Sequence, residues 1–538
     1  MILLVFFISG QSFAQNPVSY FPPPPKDTAV KRKIQIIRTD SLLYQTQELG
    51  KYRKLLGHVQ LRHELANMFC DSAILDIDAN YMTSFGRVHI NDADTVDVWG
   101  DFLEYFGDQK LGRLTGNTAM RDKTMVLTAP EFLYNTKTEI GNFSGGGIMV
   151  KDSTKLTASY GYYDHQNKIA LFYGNVVLKD SKNTMYADSM KYNTETEVVY
   201  FISKTKIIDK DSSIIETESG YYDTKKEKAF FAKGTEIRRE STTIRADEIE
   251  YDSKLKQANA KGNVVWRDTS EDAILLSNRT YYSDDSSFIR ASDDPLLLTI
   301  DKDEHDTLFL SADTLLSYKL PGLPDSTGKI DSFRVTYAYR HVKMIQKDVS
   351  AIGDSLYYTT QDSIFRIYNT PLLWMDSTQI SGDSIYLYIK NEKINHISIF
   401  GNSFISQLMD SGIYNQVKRK NIEGFVEKEK LKRVEVDANA ESIYFIKDDN
   451  KAYTGANQSE SGNITLYFDK DDIQRIKLTT APSATFTPMK QINVETFRLY
   501  GFRWDWEKKP KSRWDVIRDK AQYEKFIADE EKKKEQKK

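Results

Sequence analysis

The residues that could do chemistry are scattered. The seven histidines, His58, His63, His89, His165, His305, His341 and His396, include no pair at the spacing that sets two imidazoles on one helix face for zinc. Residues Gly322 to Ile330, GLPDSTGKI, have the outline of a phosphate loop. One residue too many separates the glycines, however, and Ile330 stands where a serine or threonine must reach magnesium. The stretch reads as a turn. No Gly-x-Ser-x-Gly element marks a nucleophile, and the acid-rich runs Asp209–Ser213 and Asp301–Asp306 lack the spacing of a calcium loop. The single cysteine, Cys70, leaves no intramolecular disulfide, and it takes the place of Ala187 and Ala246 in other copies of a repeat, as a small packing residue would. No metal, no cofactor and no enzymatic activity are expected.

The elements that carry these residues are repeats. Phe172 to Ile202, FYGNVVLKDSKNTMYADSMKYNTETEVVYFI, reads as strand, polar turn, strand and second polar turn. The position of Tyr192 is held by Leu75, Tyr105, Tyr134, Tyr163, Tyr222, Tyr251 and Tyr282 in other copies, at steps of 29–31 residues. A fixed period of that size marks stacked supersecondary units. Asn135, Asp164, Asn193, Asp223 and Asp252 follow the repeat tyrosine, where their side chains start turns rather than bind metal.

Within each unit the residues alternate, as in half-buried strands. The expected inward face carries Val59 and Leu61, Val88 and Ile90, Ile148 (with Val150), Val176 and Leu178, Met190 and Tyr192, Ile249 and Tyr251, and Val264 and Trp266. His58, His89, Lys179 and Lys191 fall on the charged face. In the irregular units, Thr205 with Ile207 and Thr235 with Ile237 take the inward role. The plain reading of the apolar face is an ordinary core. A sharper one is a slot for an apolar ligand, favoured by small residues such as Gly161, Gly220 and Thr280 among the large ones.

Lys+Arg 74 against Asp+Glu 77 leaves a net charge of -3, so no nucleic-acid partner is expected. Residues 1–14, with the apolar run Ile2–Gly10 before Ser12-Phe13-Ala14, read as a secretory signal peptide, and residues 15–45 as a Pro-rich linker. Repeats fill 46–300. The rhythm breaks over 301–349, an insertion or boundary, and returns over 350–480, where Asp354-Ser355-Leu356 and Asp383-Ser384-Ile385 match Asp188-Ser189-Met190. Residues 481–538 form a C-terminal segment with a short charged helix, polar all round and ending EEKKKEQKK, expected to be solvated.

The units GNVVLKDSKNTMYADSMKYNTETEVVYF and KGNVVWRDTSEDAILLSNRTYYSDDSSFIRA, with their Gly-Asn-Val starts and Ala-Asp-x-x-x-Tyr second strands, resemble the OstA/LptA-like family, over 57–299 and more weakly over 350–480. The resemblance implies an all-β chain of tandem open β-jellyroll (β-taco) domains. It implies a periplasmic protein, with association at the outer membrane as a further expectation, whose apolar groove shields the acyl chains of lipopolysaccharide. It further implies partners among other lipopolysaccharide-transport proteins, and self-association end to end, through edge-strand pairing. The chain is longer than one such domain. Competing readings are a structural or adhesive surface protein with a dry, filled interior, a transmembrane β-barrel, and a repeat-fold polysaccharide lyase. The alternating runs of about five residues are short for a barrel, whose strands need about 9–11.

Overall fold

The structure, a computed structural model, describes residues 32–536 apart from 48–49, 94, 124, 285–286, 301–305, 325–329, 392, 428–429 and 470–471. The expected signal peptide and most of the linker lie outside the described residues. Up to Pro488 the chain is an antiparallel meander of strands joined by tight turns. The turn residues act as expected: Asn135 Oδ1 accepts from the backbone of Lys137 and Thr138 at 2.9 and 3.1 Å, and Asn193 Oδ1 from Glu195 and Thr196 at 3.0 and 2.8 Å.

The five-residue runs are halves of longer strands. Tyr81–Asp92, Val96–Phe106 and Leu111–Arg121 each run 11 or 12 residues and bend in the middle. At the bend the ladder is interrupted: Phe85 pairs with Ser72, and the next pair is His89 with Phe69. A glycine and its successor both take positive φ there, 72° and 45° at Gly86 and Arg87. Glycine is required at the first position because a Cβ would collide with the carboxylate of an aspartate on the preceding strand, Asp71 for Gly86, Asp101 for Gly116, Asp247 for Gly262 and Asp383 for Gly401. The residue after the glycine then ties down that carboxylate. Arg87 Nη2, Asn117 Nδ2 and Asn263 Nδ2 each donate to it at 2.7 Å, and Asn402 Nδ2 at 3.1 Å. The recurring Gly-Asn and Ala-Asp pairs are thus the two sides of one corner. Each bent strand contributes one half to each of two facing walls.

Two compact units result, residues 1–152 with 157–170, and residues 153–156 with 171–538. In the first, Gln35–Arg38 and Ser41–Gln47 pair with Gly50–His63. Strands therefore begin inside the stretch read as linker, because IQIIR and SLLYQ supply apolar residues to an edge. In the second, Thr307–Ser311, Thr314–Pro324 and Ile330–Gln346 carry the ladder through the stretch read as a boundary.

The expected solvated tail is instead docked within the second unit. Helices α1 (Arg513–Val516) and α2 (Lys520–Gln536) bury Val516, Ile517, Tyr523 and Phe526 against Ile274, Leu276, Leu296, Leu298, Phe309 and Ile345. Upstream, Leu499 packs with Phe404, Ile413, Ile443, Phe445 and Ala456. Side chains pin the strap along its length. Leu499 N–H donates to Gln416 Oε1 at 2.8 Å, and Asp505 N–H to Gln379 Oε1 at 2.8 Å. Arg518 Nη1 donates to Asp313 at 2.7 Å, and Gln522 Nε2 to the Ser277 carbonyl at 2.7 Å. Four apolar residues among many lysines and glutamates sufficed for docking, too few to register as an amphipathic stripe.

Candidate functional site

The candidate site is the interior between the walls. In the first unit it is filled. Leu61, Leu75, Ile90, Leu103, Leu114 and Phe132 are all 0% exposed, so no water-sized sphere touches them. Its mouth is bridged by polar groups from opposite walls. Tyr134 Oη donates to Asp92 Oδ2 at 2.8 Å, Tyr163 Oη to Asp122 Oδ2 at 2.6 Å, and Tyr105 Oη lies 2.8 Å from His63 Nδ1. Burial pushes the Asp92 carboxyl up to about 6, against the opposing Tyr134 hydrogen bond and with the nearby Glu139 charge adding. The repeat tyrosines are therefore both core and clasp.

The second unit begins in the same way. Val176, Leu178, Met190, Tyr192, Ile249 and Val264 are buried at 1% exposure or less. Between residues 266 and 389, however, the walls part around a cavity of about 400 Å³. Its apolar lining includes Trp266, Leu275 and Leu310 from one wall and Ile289, Leu315 and Phe365 from the other. At its rim Arg334, its side chain 10% exposed, pairs with Glu271, lies 3.5 Å from Asp268 and stands 5.7 Å from the Trp266 ring centre. Burial resists ionisation of Asp268, but hydrogen bonds from Ser270 and Ser241 and the Arg334 charge outweigh it and hold the carboxyl below its ordinary range. A second, polar pocket of about 150 Å³ shares Trp266, Ile289 and Arg334 and adds Arg239, Asp284 and Lys319.

Among the residues expected on the inward face, Val59, Leu61, Val88, Ile90, Val176, Leu178, Met190, Tyr192, Ile249 and Val264 are buried core, Tyr251 is half-buried, and Trp266 lines the cavity. Ile148 is a correction: it is 41% exposed and Val150 44%, while Met149 is 0%. The corner there is Gly145-Gly146, with φ of 76° and 101°. Three consecutive glycines hide the register, and a slip of one residue exchanges the two faces. Leu310 and Leu315 were missed because they lie where the period falters, and Leu275 because Ile274-Leu275-Leu276 is apolar on both faces. The run Leu296-Leu297-Leu298, apolar on both faces, was the available signal that something covers the outer side of this wall.

The described residues thus form a bent, two-walled, nearly all-β meander with an apolar interior, and no metal-binding cluster occurs among them. Family models place it further. One described as an OstA-like protein matches residues 31–181 and 173–247, and one described as LptA/(LptD N-terminal domain) LPS transport protein matches 214–393. The chain belongs to this OstA/LptA-like family, whose members are lipopolysaccharide-transport proteins and not enzymes. Among solved structures it is similar to LptH, the LptA homologous periplasmic component of the lipopolysaccharide transport device from Pseudomonas aeruginosa, at 15% identity and a TM-score of 0.21, covering 26% of this chain and 95% of that one. No curated protein matches.

Proposed function

We propose that this chain carries lipopolysaccharide through the periplasm with acyl hydrocarbon seated between its walls, at the cavity spanning residues 266–389. The observation that carries this reading is the apolar cavity of about 400 Å³ in a chain of a lipopolysaccharide-transport family. Each methylene removed from water contributes about 0.8 kcal/mol, so even a partly seated chain is held. The cavity draws its lining from the end of the module proposed at 46–300, from 301–349, and from the start of the module proposed at 350–480. A photo-crosslinker at Leu315 should capture lipopolysaccharide in cells, and one at Tyr337, on the outer side of the same wall, should not. Equal capture at both removes the reading.

The filled interior around Leu61 and Phe132 favours a second role for the earlier repeats, as a rigid scaffold of the kind a structural protein uses. Partners would add by strand pairing. Ser483–Pro488 pairs with Tyr453–Asp469, and its side chains are exposed at all but one position. It is the proposed seat for another transport protein or a second copy end to end. Crosslinks from Thr485 to a partner strand would check this.

A further inference from the structure

The cavity between residues 266 and 389 interrupts two otherwise continuous inward rows, and its boundaries decide what it can take. On one wall Leu310 pairs with Met344, Met344 with Ala351, Ala351 with Leu373, and Leu373 with Ile380. On the other wall Phe365 pairs with Leu387, and Leu387 with Ile397. Leu310 and Phe365 line the cavity, whereas Leu373, Ile380, Leu387 and Ile397 beyond it are 0 or 1% exposed. Packed side chains therefore stop that end. The other end runs into charge. There the cavity shares Trp266, Ile289 and Arg334 with the polar pocket, whose lining adds Arg239, Asp268 and Asp284. Hydrocarbon pushed among those side chains strips water from them and offers no partner in return. Farther along, Ile249 and Val264 are again 0% exposed. Between the wall ends lies the mouth, with the exposed Thr299 and Ile300 on one rim and Thr360 on the other.

Size sets a second limit. An apolar cavity of about 150 Å³ admits benzene, so one of about 400 Å³ has room for roughly 16 carbons. From these boundaries we infer that the cavity is a dead-ended chamber for a single acyl chain of about that length, entered tail first through the mouth, and not a stretch of channel along which chains pass. The polar head stays at the mouth, where Glu271 and Arg334 form their pair. A lipid with several chains seats one of them and leaves the rest outside the chamber. The inference rests on the proposal that this cavity holds acyl chains, and it states how many chains and how long.

The test uses the full chain and a series of saturated lysophosphatidylglycerols, from about eight to about twenty carbons, delivered from cyclodextrin. Affinity should rise about fourfold with each added methylene and then level off near about 16 carbons. Native mass spectrometry should show one lipid per chain. Leu310→Trp, which fills part of the chamber, should move the break to shorter probes. Leu387→Ala, which removes packing at the stopped end, should move it about three carbons longer. If affinity keeps rising to the longest probe, or two or more lipids bind per chain and are lost together in Leu310→Trp, the dead end is overturned and the cavity reading survives. If no probe binds at any length, or Leu310→Trp changes nothing, the cavity reading fails and this inference falls with it.

Discussion

The repeats around Tyr105 and the strand of Trp266 share the bent hairpin with its glycine–aspartate corner, whereas opposite Asp313, beside Leu310, Arg340 and His341 take the positive φ in place of a glycine. In the first region the facing side chains meet and exclude even water-sized space, and tyrosine–carboxylate hydrogen bonds bridge the mouth. In the second the walls stand apart around about 400 Å³, and a charged pair, Arg334 with Glu271, sits at the rim. The difference has a physical source on the outer side. The wall that carries Leu275 and Leu310 is covered from outside by Val516, Ile517, Tyr523 and Phe526. Its stability then depends less on contacts across the interior, so an open interior is tolerated there.

The comparison can be broken most severely by removing the strap. Fully burying an apolar side chain contributes about 1.5–3 kcal/mol, so truncation after Pro510 should cost several such contributions. Deuterium uptake should rise over 274–298, 307–311 and 342–346 and stay unchanged over 57–135. A uniform rise would mean that the strap does not serve the cavity wall in particular. Next comes cavity creation. Phe132→Ala in the filled region should cost about 3–5 kcal/mol in urea denaturation, and Leu315→Ala, which already faces space, about 2 kcal/mol.

Overpacking gives a smaller contrast. Leu103→Trp should cost at least about 1–3 kcal/mol, whereas Leu310→Trp should cost less than about 1 kcal/mol because the cavity receives the ring. The smallest effect is in pH. Asp92 is raised in the folded state, so its contribution is fully present below the ordinary carboxylate range and is lost as pH rises through about 6. Asp92→Asn should therefore raise Tm at pH 7.5 relative to pH 5 by about 2–4 °C compared with the wild type. Asp268 is lowered, so its contribution has the opposite sign, present at neutral pH and lost on acidification. Asp268→Asn should lower Tm at pH 7.5. Shifts of the same sign for the two variants would remove the distinction between clasp and rim.

Much of this was legible in the residues alone. The period, the turn-forming Asn and Asp residues and the inward rows at Val59, Leu61, Val176 and Leu178 follow from alternation and turn chemistry, which act over a few neighbouring residues. The irregular unit read through Thr205 and Ile207 also has both buried, at 0% and 2%. The Gly-Asn and Ala-Asp pairs were visible as motifs, but not as partners, because the two sides of a corner lie about half a period apart. Ile148 went to the wrong face because three adjacent glycines carry no side chain to mark the register.

What the sequence by itself determined is the hairpin, its bend and which residues of each strand turn inward, since these depend on short-range sterics and on the polarity of successive side chains. Whether an inward row is filled or open was decided only in the tertiary structure. That outcome depends on how far apart two walls stand, and the separation is set by contacts between residues hundreds of positions apart, such as Gln522 with Ser277 and Arg518 with Asp313. The same apolar row can close on itself or hold a cavity, and alternation along one strand reports on neither.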